Sequence, residues 1–211
     1  MDTLLPFLPK FAAAYAILLV AASSPGPAVA MLLGVASTRG RRAALTVTTG
    51  IAAGSVTINL LTLVGLGLLL SQIAWAMTIM RMIGAAYLAW LAIAAFRKAL
   101  NPPPLTAMRD VPASPGRLLA MGYLLQVTNP KAIVFWLAIA SVGATHGGGA
   151  GIVALFALGA FLISFGCHGA WALLLSSAPV RAGYTRARRW VEGALGAFFA
   201  FAAFKIATSK G

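Results

Sequence analysis

Ser24-Pro25-Gly26-Pro27 and Thr128-Asn129-Pro130-Lys131 are two proline-bearing tetrads that interrupt hydrophobic stretches of the chain. Each lies well inside an apolar segment that would otherwise form one uninterrupted helix. Proline lacks a backbone N–H and clashes with the preceding turn, so both helices are predicted to kink or unwind there. In lipid, freed backbone groups are tolerated where they line a cavity or are buried in protein. The tetrads therefore predict two broken membrane helices beside a polar cavity.

The composition is that of a membrane protein, since 61% of the residues are hydrophobic, 9% are charged and the mean hydropathy is +0.92. Charge-free runs cover 11–38, 43–80 and 132–180. The last two exceed the roughly 20 residues of one crossing, so they must contain turns, which we expect at Ser71-Gln72 and at 145–149. The predicted all-α fold has six transmembrane helices, over 11–35, 44–70, 73–96, 118–143, 150–177 and 188–207.

The net charge of +13 is spread over connections between the predicted helices rather than gathered in one folded basic module, which argues against nucleic-acid binding. Three connections hold most of the basic residues: Arg39, Arg41 and Arg42; Arg97, Lys98, Arg109 and Arg117; and Arg181, Arg186, Arg188 and Arg189. The alternate connections, around 71–77 and 143–150, contain no Lys or Arg. The positive-inside rule then predicts three cytoplasmic loops, with both termini on the extracytoplasmic side.

Three crossings per half give the halves opposite orientations, so we predict an inverted repeat within a single membrane domain, 1–211. Half one covers 1–98, a proline-rich cytoplasmic linker covers 99–116, and half two covers 117–211. The first helix of each half carries a break, and such paired breaks are typical of a transporter's binding site near the midplane. Ala28-Val29-Ala30 resembles a signal-peptide cleavage site, but the poor basic n-region favours a retained helix.

The first break offers groups that suit a carboxylate. Pro25, Gly26 and Pro27 start a new half-helix, whose N-terminus carries partial positive charge and unpaired N–H groups. Ser23 and Ser24 add hydroxyls at the same point. The alternative is a kink that serves helix packing alone.

The second break contains a lysine in an apolar segment, together with Asn129 and Pro130. A charge at such a depth is costly unless it is paired or faces water. Lys131 could contact a substrate carboxylate, balance the carbonyl groups at a helix C-terminus, or extend to the cytoplasmic edge. We predict that it faces the cavity.

Four further polar side chains lie within predicted helices. Ser55 and Asn59 belong to the second helix and Gln126 to the fourth, and they are predicted either to face the cavity or to bond between helices. Histidine in water titrates near neutral pH, so His168 is a candidate proton relay. Its alternative is a neutral histidine that bonds a backbone carbonyl.

The sequence lacks the residues that several kinds of functional site require. Asp2, Asp110 and Glu192 are all predicted near the interfaces, so no acid is expected within the membrane. His146, His168 and Cys167 are too few for a convincing metal site, and no cofactor is expected. A thiol-disulfide electron carrier needs two cysteines, and Cys167 is the only one.

The sequence resembles the LysE/RhtB family of amino-acid exporters over almost its whole length. The matching elements are Pro25-Gly26-Pro27, Arg39-Gly40-Arg41-Arg42, Gly50-x-x-x-Gly54, Gly84-x-x-Tyr87-Leu88, Asn129-Pro130-Lys131 and the basic loop before the last helix. The resemblance implies a bacterial inner-membrane protein that exports amino acids or related metabolites, powered by the proton gradient. It also favours a homodimer.

One position departs from the family pattern. Members commonly carry an acidic residue just after the second glycine of the helix-two motif, where this chain has Ser55. Any proton-carrying role of that acid is then absent or passes to His168. The alternative function is a non-transporting membrane protein for assembly or lipid handling.

Overall fold

The computed structural model describes residues 4–70, 74–102 and 114–208, and helices account for nearly all of these ranges. Within these ranges a 3₁₀ turn, Leu5–Phe7, precedes seven α-helices: α1 Leu8–Ser23, α2 Pro27–Leu70, α3 Ala74–Leu100, α4 Pro115–Val127, α5 Pro130–Ser141, α6 Ala150–Leu175 and α7 Ala178–Thr208. The described chain is therefore all-helical, as the apolar composition indicated.

Both predicted breaks are confirmed. At the first, α1 ends at Ser23, Ser24 adopts an extended conformation with φ −75° and ψ 133°, and α2 begins at Pro27. At the second, α4 and α5 bend by 61° across the tetrad. Proline starts both downstream helices, where its missing N–H would have had no partner in any case.

The structure refines one predicted connection and moves the start of the last helix. The predicted connection between the first two helices is a kink rather than a loop: α2 consists of two helices that meet at Gly40, whose φ of 76° and ψ of −175° are not helical. Glycine tolerates that positive φ, so one helix ends and the next begins within a single residue. The last helix begins at Ala178 rather than at 188, because arginine and alanine form helix even where the chain is not apolar.

The structure describes one of the two predicted turns. Thr145–Gly149 lies in the turn region between α5 and α6, so that turn is confirmed. Ser71-Gln72 and most of the 99–116 linker lie outside the described residues.

Three described segments are long and apolar enough to cross a bilayer: Leu5–Ser23, Pro27–Leu63 and Ala150–Leu175. The bent pair Pro115–Val127 and Pro130–Ala140 adds a fourth if it forms one span. The six-span inverted repeat, with its two halves and linker, stays a prediction.

The chain folds as two compact units. The first takes the described residues of 1–67 and 106–178, which are α1, most of α2, α4, α5 and α6. The second takes those of 68–105 and 179–211, which include α3 and nearly all of α7. Both helix breaks belong to the first unit.

Close helix contacts hold the first unit together. Tyr15 of α1 stacks on Phe156 of α6 with a centroid separation of 5.1 Å, and its hydroxyl donates to the Phe156 carbonyl at 3.1 Å. Helices α2 and α4 cross where a Cβ on Gly50 would lie 2.1 Å from the Leu119 carbonyl oxygen. This crossing places the polar residues of α2 and α4 side by side.

Candidate functional site

Both breaks meet at one cavity in the first unit. Its lining combines apolar side chains with polar groups from α1, α2, α4, α5 and α6: Leu18, Ala21, Ala22, Ser24, Gly26, Pro27, Ala28, Ser55, Gln126, Asn129, Lys131, Ala132, Phe135, Trp136, Ile139, Ser164 and His168. The cavity volume is about 30 Å³, room for about two water molecules. This volume is smaller than an amino acid.

Side chains satisfy carbonyl groups that the first break frees. The Ser24 hydroxyl donates to the Ala21 carbonyl at 2.9 Å, and the indole N–H of Trp171 donates to the Ser23 carbonyl at 3.2 Å. The Lys131 ammonium donates to the Ser24 carbonyl at 2.8 Å and also to the Ser24 hydroxyl. The open backbone is thus held by side chains from α5 and α6.

Lys131 joins the two breaks. It lies in the first turn of α5, where its backbone N–H donates to the Asn129 side-chain oxygen at 3.1 Å. Its side chain passes so close to Gly26 that a Cβ there would lie 3.3 Å from both Cδ and Nζ of the lysine. The side chain is only 8% exposed. Of its three predicted roles, the balancing of helix carbonyl groups is confirmed, and contact with a substrate carboxylate stays a prediction.

A second set of hydrogen bonds connects α4, α2 and α6. The Gln126 side-chain nitrogen donates to the Ser55 hydroxyl at 2.8 Å, and that hydroxyl bonds the Ser164 hydroxyl at 3.1 Å. All three residues are buried and line the cavity. Ser55 and Gln126 therefore both bond between helices and face the cavity, so neither alternative excludes the other.

His168 lies one turn after Ser164 on α6. Its Nδ1 is 2.8 Å from the Ser164 backbone oxygen and 3.4 Å from the Ser164 hydroxyl. A carbonyl oxygen only accepts hydrogen bonds, so Nδ1 carries the hydrogen and Nε2 holds the lone pair. The predicted bond to a backbone carbonyl is confirmed. The role as a proton relay stays a prediction, and Nε2 is the nitrogen that would perform it.

Most of the predicted site residues line this cavity: Ser24, Gly26, Pro27, Ser55, Gln126, Asn129, Lys131 and His168. Pro25, Asn59 and Pro130 are not among the lining residues. The two prolines shape the breaks through the backbone. Asn59 is fully buried, and within the described part of the chain neither its amide nitrogen nor its amide oxygen has a hydrogen-bond partner.

Sequence reasoning missed part of the site. Ser164, Phe135 and Trp136 line the cavity, and Trp171 holds the first break. The spacing of four between Ser164 and His168 could have found Ser164, because residues four apart share a helix face. Nothing in the sequence marks Phe135, Trp136 or Trp171 as site residues, since apolar residues surround them.

The buried carboxamide of Asn59 is expected to lower the stability of the protein. Asn59→Leu removes two polar groups that have no partner, so we expect the free energy of unfolding to rise by about 1–3 kcal/mol. Thermal unfolding of the purified protein in detergent measures this as a higher midpoint. Asn129→Leu is the matched comparison, since it removes an N-cap and should cost about 1 kcal/mol. A lower midpoint for Asn59→Leu would contradict the expectation.

Comparison with known proteins agrees with this architecture. Residues 19–210 match the LysE type translocator family. The chain is 33% identical to the threonine efflux protein of Salmonella typhimurium over 192 residues, covering 86% of this chain and 89% of that protein. It is 30% identical to the threonine efflux protein of Escherichia coli K12 over 186 residues, with the same coverage.

A shorter match connects the chain to a related efflux protein. It is 34% identical to the homoserine/homoserine lactone efflux protein of Salmonella typhimurium over 116 residues, which cover 55% of each chain. No solved structure matches. The family match covers nearly the whole sequence, including both helix breaks and every polar residue that lines the cavity, and the chain belongs to the LysE type translocator family.

Proposed function

We propose that this membrane protein exports threonine, or a neutral amino acid of similar size, through the cavity between the two helix breaks. One observation carries the proposal: two broken helices distant in sequence meet at a single polar cavity, where Lys131 bonds the backbone of the other break. The threonine efflux proteins that the chain resembles over most of its length support the choice of substrate.

The charges around the cavity suit a zwitterion with a neutral side chain. Lys131 supplies positive charge, and the N-terminus of α2 at Gly26 and Pro27 adds partial positive charge where a carboxylate can bind. Among the described residues that line the cavity, none is Asp or Glu. A second positive charge on the solute would have no carboxylate to balance it, so lysine and arginine are poor substrates in this proposal.

Transport proceeds by alternating access in this proposal. The cavity is too small for the solute, so entry requires the packed helices to separate on one side at a time. The breaks are the natural pivots, because side chains rather than a continuous helix ladder hold the backbone there.

The proton gradient drives export in this proposal, with His168 as the proton carrier. His168 Nε2 holds a lone pair, and the residue lines the same cavity as Lys131, the only Lys or Arg among the lining residues. A proton on the imidazole and a solute in the cavity would therefore affect each other's binding.

We place the protein in the bacterial inner membrane with the basic segments in the cytoplasm. Arg39, Arg41 and Arg42 are exposed beside the bend at Gly40, and Arg117 is exposed at the start of α4. Both termini then face the periplasm. The assembly we expect is a homodimer.

Purified protein in liposomes tests the function. Vesicles loaded with unlabelled threonine should accumulate labelled threonine by counterflow, and an imposed pH gradient should drive net accumulation. His168→Gln should retain counterflow but lose the response to the gradient, because glutamine cannot carry a proton. The matched control is His146→Gln, which changes an exposed histidine between α5 and α6.

The two parts of the proposal fail separately. Absence of threonine counterflow with the unchanged protein would contradict threonine export. A full response to the pH gradient in His168→Gln would contradict the proton-carrying role and leave export standing.

A further inference from the structure

The side-chain oxygen of Gln126 is an acceptor without a partner in the wall of the cavity. Gln126 is only 5% exposed, and its amide nitrogen is already bonded to Ser55 at 2.8 Å. That bond holds the carboxamide in place, and within the described ranges nothing donates to the oxygen. A buried carbonyl oxygen left in this way destabilises the protein unless a ligand bonds it.

The polar groups of the cavity fall into two sets of different character. Lys131 and the first break form the set that carries positive charge. Gln126, Ser55, Ser164 and His168 form a neutral set, in which the two serine hydroxyls already bond each other. A bound amino acid places its carboxylate toward the positive set, and Lys131 repels its ammonium group toward the neutral set.

We propose that the Gln126 side-chain oxygen receives the α-ammonium group of the transported amino acid, so that Gln126 selects amino acids over carboxylic acids that lack the α-amino group. This inference rests on the proposed function of the same cavity. An ammonium group donates charge-assisted hydrogen bonds, which are stronger than those between neutral groups. Asn59 also has a carboxamide without a hydrogen-bond partner among the described residues, but it does not line the cavity.

Binding measurements with ligands that lack one group test the assignment. Isothermal titration calorimetry of the purified protein would compare threonine with 3-hydroxybutyrate, which lacks the amino group. The unchanged protein should prefer threonine by about tenfold or more, the effect of one hydrogen bond to a charged group. In Gln126→Leu that preference should fall to about one. Thr48→Val is the control, because it alters a buried α2 hydroxyl outside the cavity lining and should keep the preference.

Gln126→Glu provides a second, independent variant. A carboxyl group at this position should still bind threonine and should newly bind 1-amino-2-propanol, which retains the amine but lacks the carboxylate. If the Gln126 amide nitrogen instead turned to donate to the substrate carboxylate, Gln126→Glu would repel threonine, and that result would overturn the assignment.

Results that contradict the role of Gln126 differ from results that contradict the proposed function. No threonine binding by the unchanged protein would contradict the function itself. An unchanged preference for threonine over 3-hydroxybutyrate in a folded Gln126→Leu protein would overturn the role of Gln126 alone. If Gln126→Leu does not fold, the Gln126→Glu result decides.

Discussion

Gly122→Ala should leave little stably folded protein. A Cβ on Gly122 would lie 2.2 Å from the Val47 carbonyl oxygen, and the reciprocal Cβ on Gly50 would lie 2.1 Å from the Leu119 carbonyl oxygen. Close C–H···O contacts between helices have separations of about 3.3–3.6 Å, so the α2 and α4 backbones would have to move apart by about 1 Å. Neither side can yield by turning a side chain, because both partners are backbone.

The expected destabilisation is about 3 kcal/mol or more, at or above the top of the usual range for overpacked cores. Thermal unfolding in detergent and the monodisperse fraction on size-exclusion chromatography measure it. Gly166→Ala is the matched control: this α6 glycine has open space around its Cβ position, and alanine should stabilise the helix by about 0.5–1 kcal/mol. Equal midpoints for Gly122→Ala and the unchanged protein would refute the close crossing.

Lys131→Met should abolish threonine transport while the protein remains in the membrane. Methionine keeps an apolar stem of similar length but donates no hydrogen bond, so it no longer bonds the Ser24 and Pro25 carbonyl groups. The variant also removes the positive charge that the proposal assigns to carboxylate binding. A loss of about 2–3 kcal/mol at this site would lower transport by about 30-fold or more.

Two measurements separate the local effect from a general loss of fold. Counterflow of threonine reports function, with the exposed Lys10→Met of α1 as the matched control that should transport normally. The rate at which a maleimide modifies Cys167 reports the first break, because the Ser23 hydroxyl bonds this thiol at 3.7 Å. The rate should rise when the break loosens. Unimpaired counterflow in Lys131→Met would refute the role of Lys131 in transport.

Local chemistry was sufficient to predict the helix breaks. Pro27 and Pro130 begin the downstream helices because proline lacks the N–H that a helix interior needs, and this property does not depend on neighbours in space. Local patterns also indicated a helix boundary near Gly40, where two helices meet at a kink, but they misplaced the start of the last helix, which is Ala178. Hydropathy marks the start of the apolar segment, whereas the helix itself begins ten residues earlier, in polar sequence.

The residues of the site were only partly predictable, because the faces of the helices that pack together determine which side chains line the cavity. Ser55 and Asn59 are four residues apart on α2, yet Ser55 lines the cavity and Asn59 does not. In the sequence, Trp136 and Trp171 do not differ from ordinary apolar residues. In the structure, Trp136 lines the cavity and the indole N–H of Trp171 donates to the Ser23 carbonyl.

The sequence by itself determined that the chain is helical, apolar enough for a membrane and broken at two proline tetrads, because these properties follow from local backbone chemistry and composition. Only the tertiary structure determined how the two breaks contact each other. Lys131 reaches the Ser24 carbonyl across 107 residues of sequence, and Gln126 is left with one bonded and one open amide atom. Such contacts arise from helix packing, which brings distant residues together and which no local pattern records.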